Sequence, residues 1–395
     1  MKDKEPFFIP RRQVIRGILA STAFGVTSQL WTGCTSTETP STTTTPTAST
    51  TPDLTIGFIF VGPKDDFGYN QSHFQGEGVI SKLPGIKTVD EANVPETATV
   101  QETMLSMINQ NGATLLFPTS FGYFDPHILK IAKENPKVQF LHCGGLYKDG
   151  VHPPNVGSYY GYIDEAEYIA GIVAGLTTKS GKLGFVAAKP IPQVLRNINS
   201  YTLGARSVNP KATVQVIFTG DWSIPVKEAE AANSMVDQGV DVMTCHVDSP
   251  KVVIETAEKR KIFSTGYHVD QSQLAPNGFL TGSEWDWGTV YTKYVDEVKA
   301  GKTLADGGIP HLVRGGLKEK FCKLSPYGAA VSAATKKEAD AALAKFMDGT
   351  QIIYAGEIKD NTGKVVIPKG VKLEQTNPKL EQMDWLVEGV VGKIG

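Results

Sequence analysis

The stretch Leu54-Thr55-Ile56-Gly57-Phe58-Ile59-Phe60-Val61, followed by Gly62-Pro63-Lys64-Asp65-Asp66-Phe67-Gly68-Tyr69-Asn70-Gln71, decides how the rest of the chain is read. A continuous apolar run with β-branched and aromatic residues reads as a buried strand, a polar Gly/Pro-bearing loop ends it, and residues 71–81 carry a helical pattern. The same alternation recurs. Residues 114–118, 138–143 and 156–160 read as further buried strands with a helix over 125–135, which makes a parallel-sheet α/β lobe. A second series starts with a helix over 165–178, then strands at 182–187, 213–218, 240–245 and 261–266, with a helix over 226–238. Within the first of these helices the small residues Ala170, Gly171, Ala174 and Gly175 form a face for close helix packing.

A chain of 395 residues is long enough for two such units, since single cores stop growing near ~250 residues. Periodicity leaves open whether they are independent domains or lobes that share crossover strands. With 39 basic and 41 acidic residues the net charge is −2, so no global field points to nucleic acid or a membrane surface.

The N-terminus reads as an address. Arg11 and Arg12 precede a mildly apolar run over 18–31, the order of an export signal, and the arginine pair resembles a twin-arginine signal. The run ends in Leu30-Trp31-Thr32-Gly33-Cys34, which resembles a lipobox, so residues 1–33 are expected to be removed and Cys34 lipidated. Residues 34–53 are dominated by Thr, Ser and Pro and read as an extended tether. No later apolar run approaches the ~20 residues of a membrane span. Cys143, Cys245 and Cys322 are widely spaced without a Cys-x-x-Cys pair, so they read as buried free thiols, with one disulfide the alternative.

In open α/β sheets ligands bind beyond the carboxyl ends of the strands, so the residues just after each apolar run are the informative ones. These are Asp66, Phe67, Tyr69 and Asn70; Asn93 with Glu96; Ser120 and Phe121; Tyr160; Trp222; His246 and Asp248; Tyr267 and Asp270; and Glu284 with Trp285. Asn70 can equally serve as a helix cap. Aromatic and carboxylate groups recurring at separate strand ends point to a cleft for a planar ligand. Gly-x-Ser-x-Gly, His-Glu-x-x-His and the phosphate-binding Gly-x-x-x-x-Gly-Lys-Ser/Thr are all absent, and Gly76-Glu77-Gly78 lies inside a helical stretch rather than joining strand to helix. Neither His246 with Asp248 nor His268 with Asp270 has a third ligand nearby, so no metal, cofactor or catalytic group is expected.

These residues resemble the basic membrane lipoprotein family of ABC-importer substrate-binding proteins, typified by purine nucleoside receptors. The resemblance covers residues 54–360. The family's Asp-x-Ser-Phe-Asn-Gln is matched by Asp66-Phe67-Gly68-Tyr69-Asn70-Gln71, and its Gly-Val-Asp-x-Asp-Gln by Gly266-Tyr267-His268-Val269-Asp270-Gln271. The resemblance implies a type I periplasmic-binding-protein fold: two Rossmann-like α/β lobes with parallel sheets joined by a hinge. It implies lobes of 54–163 with 285–322, and 164–284 with 323–395, the last part being a C-terminal extension with a strand near 363–368 and a polar helix-like end. By resemblance Tyr69 or Phe67 stacks on a purine, while Asp66, Asn70 and Asp270 bind its edge or sugar.

Two departures bear on the ligand: the family's first acid in the second motif is His268 here, and a lysine of its Thr-Ser-x-x-Lys segment is Trp285. Together they favour a flatter, less hydroxylated ligand, a free base such as adenine. The resemblance therefore implies an exported, lipid-anchored monomer that captures a purine by lobe closure and delivers it to an ABC permease. A sensor for a signalling partner, or a nucleoside-cleaving enzyme with a base or metal near the sugar, are the rival readings.

Overall fold

The structure is a computed structural model and describes residues 54–394. The export segment, Cys34 and the 34–53 tether lie outside the described residues. The first series runs β1 (Leu54–Ile59), α1 (Tyr69–Ile80), β2 (Ile86–Glu91), α2 (Thr99–Asn109), β3 (Leu115–Pro118), α3 (Leu129–Glu134), β4 (Gln139–Cys143) and β5 (Val156–Gly161). Its strands pair in parallel in the order β2-β1-β3-β4-β5. β1 is buried at every position, as a central parallel strand covered by helices on both faces must be.

The second series repeats the pattern with α4 (Asp164–Thr177), β6 (Lys182–Ala187), α5 (Pro192–Val208), β7 (Thr213–Phe218), α6 (Pro225–Asp237), β8 (Val242–His246), α7 (Lys251–Lys259), β9 (Phe263–His268) and β10 (Phe279–Trp285). These strands are again parallel, ordered β7-β6-β8-β9-β10. The chain then crosses back. α8 (Trp287–Lys299) packs on α1, and β11 (Leu312–Gly315) pairs in parallel with β5 at the edge of the first sheet. β12 (Cys322–Leu324) returns to the second sheet, antiparallel to β10, and α9 (Ala333–Asp348) packs on α4. Three passages between the sheets, at 161–164, 285–287 and 315–322, thus join two Rossmann-like lobes as in a type I periplasmic-binding fold.

The small-residue face of α4 lies directly on α5. A Cβ on Gly171 would stand 2.1 Å from the Tyr201 carbonyl oxygen, and one on Gly204 would stand 1.9 Å from that of Tyr168. Two expectations need correction. The helix expected over 125–135 is broken at its start: Asp125, before Pro126, is extended at φ −121°, ψ 123° within a wide helical turn over Phe124–Ile128, and the regular α-helix runs Leu129–Glu134. The C-terminal end is not helical: beyond a strand at Val365–Ile367, a short turn at Leu380–Gln382 leads to Val390–Val391, which pairs with β7. Cys143, Cys245 and Cys322 are free thiols. Among the described residues no helix is long and apolar enough to cross a membrane.

Candidate functional site

The carboxyl ends of the two sheets face each other, and the loop after β1 is where the lobes touch. Asp66 organises that loop: its carboxylate accepts hydrogen bonds from the backbone N–H groups of Gly68 (2.8 Å), Asn70 (3.0 Å) and Gln71 (2.9 Å) and from the Asn70 amide (2.8 Å). So fixed, the loop offers its backbone to the second lobe. Tyr69 N–H donates to the Asp248 carbonyl (2.9 Å), Gln271 Nε2 donates to the Phe67 carbonyl (2.7 Å), and Ser249 Oγ donates to the Asp66 carbonyl (2.9 Å). Gly68 permits the approach, since a Cβ there would lie 1.9 Å from the Asp248 carbonyl oxygen.

Behind this contact lies a cavity with about 60 Å³ open to the centres of water-sized atoms. The first lobe supplies Tyr69, Ser120, Phe121 and Tyr160 to its wall, the second supplies Trp222, His246, Asp248 and Tyr267, and Trp285 stands at the passage between them. Each sits at a strand end or in the loop just beyond it. Tyr69 is anchored by its hydroxyl to the Thr119 carbonyl (2.6 Å), and Ser120 Oγ donates to Glu96 (2.5 Å). The floor is a column of rings: Trp285 stacks on Trp287 at 4.6 Å and Trp287 on His73 at 5.0 Å, with interplanar angles of 18° and 3°. Gly161 makes room for it, because a Cβ there would meet Trp285 Cζ3 at 2.3 Å.

The two departures from the family motifs bond to each other. Trp285 Nε1–H donates to His268 Nδ1 (2.9 Å), which leaves the imidazole proton on Nε2 to donate to the Val247 carbonyl (3.2 Å). Trp285 and His268 thus form a mutually satisfied pair. Burial, with His246 as the next cause, holds His268 well below the ordinary histidine range. Burial also pushes His246 down to about 3 and the Cys143 thiol up to about 12. Asn197 of α5 donates to His246 Nδ1 (3.0 Å) and to the Tyr267 hydroxyl oxygen (3.2 Å). His246 Nε2–H donates to the same oxygen (3.2 Å), so the Tyr267 O–H remains as a donor.

Asp248 is the carboxylate of this wall, and neither Lys nor Arg lines it. Desolvation first, then the negative charges of Asp66, Glu96 and Glu228, raise its pKa well above the usual carboxylate range. No hydrogen bond from the described residues reaches its side-chain oxygens. The cavity therefore presents an unpaired carboxyl group among aromatic faces, which matches a planar ligand bearing N–H donors, and with no Lys or Arg in the wall it has no counter-charge for an anion.

Other expected residues have different work. Asp66 and Asn70 satisfy their own loop, and Asn70 Oδ1 also accepts from the Gly62 N–H (3.1 Å), so the capping carboxylate is that of Asp66. Phe67 is left-handed at φ 53° and stands outside the wall, its ring 5.3 Å from Lys251 Nζ. Asn93 is an exposed left-handed turn residue at φ 60°. Asp270 accepts from the Ser272 N–H (2.8 Å), and Glu284, one residue before Trp285 and so on the opposite face of β10, pairs with Lys323 (3.3 Å). His268, Cys143, Gly144, Gly161, Ile191 and Gln193 complete the cavity, and none of them was among the expected site residues. Ile191 and Gln193 follow β6, so the strand-end rule applies to them as well.

Residues 54–362 match the family described as Bmp, ABC transporter substrate-binding protein PnrA-like. The chain belongs to this family. A relative, a purine-binding protein of Brucella abortus (strain 2308), is 35% identical over 344 residues, 86% of this chain and 94% of that protein. A Haloferax volcanii protein, provisionally named an ABC transporter glucose-binding protein, is 29% identical over 343 residues, 86% of this chain and 81% of its own length. Among solved structures, an ABC transporter solute-binding protein from Conexibacter woesei gives a TM-score of 0.63 at 21% identity over 75% of this chain and 97% of that one, a likeness of fold.

Proposed function

We propose that this PnrA-like protein captures a purine-type ligand, a free base such as adenine in preference to a nucleoside, and hands it to an ABC permease without chemical change. The observation that carries the reading is the unpaired Asp248 carboxylate in an aromatic wall that holds no cation. A purine offers it N–H donors and offers Tyr267 O–H a ring nitrogen, while Tyr69, Phe121 and Trp222 supply faces for stacking. The Trp285–His268 pair supports base over nucleoside, because the ionic groups available to sugar hydroxyls in the family pattern are absent here. The Brucella relative's name agrees with a purine.

The lobes taken to close are 54–163 with 285–322, and 164–284 with 323–395, turning about the three passages between the sheets. The ligand bridges them and favours the closed form, which a permease recognises. The protein works as an exported monomer held by lipid on Cys34.

Calorimetric titration of Asp248→Asn with adenine tests this. The account expects affinity to fall about 10- to 100-fold, the worth of a hydrogen bond to a charged group. In the unaltered protein the raised pKa of Asp248 means that adenine must displace a proton from it. Affinity should therefore weaken as pH drops through a window above the ordinary carboxylate range, and the Asn variant should lack that dependence. Equal affinity in both proteins would remove Asp248 from recognition.

A further inference from the structure

A second chamber of about 280 Å³ adjoins the ligand cavity. The two have Phe121, Gly144, Tyr160, Ile191 and Gln193 in common, so they are separated only by shared side chains. Their chemistry differs. The flanks of the chamber are Phe121, Leu146, Ile191, Pro192 and Leu380, and its charged groups, Arg314 and Glu381, are paired at 3.0 Å. The Arg314 guanidinium also lies 5.9 Å from the Tyr160 ring centroid. Glu381 compensates that charge, and Arg314 keeps one buried N–H, at Nη1, without a partner; the rest of what the chamber offers is apolar surface. Leu380 and Glu381 lie in the C-terminal extension, past residue 362 where the family match ends.

We propose that this chamber is an annex of the ligand site that takes an apolar arm carried by the planar ligand, so that alkyl- or aryl-substituted bases are ligands of this protein. The inference rests on the planar-base reading and adds the class of substituent. The ring lies in the cavity beside Asp248, and the arm passes Tyr160 and Gln193 to lie against Leu146 and Leu380. An arm buried in this way gains roughly fourfold in affinity per methylene. A ribose in the same place could pair a hydroxyl with Arg314 Nη1 but would leave its others against apolar side chains and lose affinity.

The test is calorimetric titration of the protein with adenine and two series of probes, one alkylated on the exocyclic amine (methyl, propyl, benzyl) and one alkylated at N9 (methyl, propyl). In at least one series affinity should rise by about fourfold per added carbon until the annex is full. Leu380→Phe and, from the opposite wall, Leu146→Phe narrow the annex without touching the cavity. Either should abolish the rise and leave adenine affinity unchanged. If adenine binds and every substituted base binds at least tenfold more weakly, the annex is refuted while the planar-base reading stands. A rise that both narrowing variants leave intact puts the arm elsewhere and refutes the annex too. Failure of adenine and all its derivatives to bind overturns the planar-base reading and the annex with it.

Discussion

Gly68 shows how much a single residue controls here. Its missing side chain lets the first lobe's loop rest on the Asp248 carbonyl, where a Cβ would sit at 1.9 Å. Gly68→Ala should leave each lobe folded but hold them apart, and a binding-competent form that is populated less lowers apparent affinity in proportion. The expected result is an unchanged thermal midpoint without ligand and at least about a tenfold loss of ligand affinity by calorimetry; unaltered affinity would show that the two backbones do not need to meet. Asp66 is the counterpart lesson. From sequence, an acid in a loop after a strand is equally a ligand contact or a capping group, and only the geometry shows its oxygens occupied by four N–H donors. Position along a strand end was legible for Tyr69, Asp248 and Trp285, whereas the direction of Asp270 and Glu284 depended on turn geometry and on the alternation of β10.

At the scale of elements, the strands whose apolar runs are continuous were readable because burial on both faces leaves no other pattern. β2 was not read: as an edge strand, its Ile86-Lys87-Thr88-Val89-Asp90-Glu91 is half-exposed and carries no such run. α5 was missed for the opposite reason. It is buried, yet its inward positions include Arg196, Asn197, Asn199 and Ser200, which obscure apolar periodicity. Each has a partner that sequence could not reveal. Arg196 pairs with Asp164 at 2.9 Å and reaches Gln375, Asn197 holds His246, and Asn199 bonds the backbone of Trp385 and Val387. α5 thus ties α4, the ligand site and the C-terminal extension together through polar bonds.

The Arg196–Asp164 pair is almost fully buried, with side chains 2% and 3% exposed. Removing one partner of such a pair leaves an uncompensated charge, so Arg196→Met should lower stability by about 3–5 kcal/mol in urea unfolding. Combining it with Asp164→Leu should restore most of that loss. A change below about 1 kcal/mol in the single variant would mean the pair contributes little.

Over the whole molecule, periodicity made the alternation of β and α legible but left the interleaving of the lobes open, and only the family resemblance implied it. Periodicity cannot tell that β11 leaves the second series to pair with β5, or that β12 returns to β10. That topology places three passages behind the cleft and strand ends from both sheets in front, so one ligand can touch Tyr69 and Tyr160 on one lobe, Asp248 and Tyr267 on the other, and Trp285 at the passage between them. The annex beside it adds a contribution from the extension, whose role no local pattern announces. The most direct measurement is the thermal midpoint of the purified protein in the presence of adenine, adenosine, glucose and amino acids, since a ligand that binds only the native state raises it. The account predicts the largest rise with adenine, a smaller one with adenosine and none with glucose or amino acids. A rise with glucose and none with either purine would contradict it, leaving the two-lobed binding fold with a different ligand.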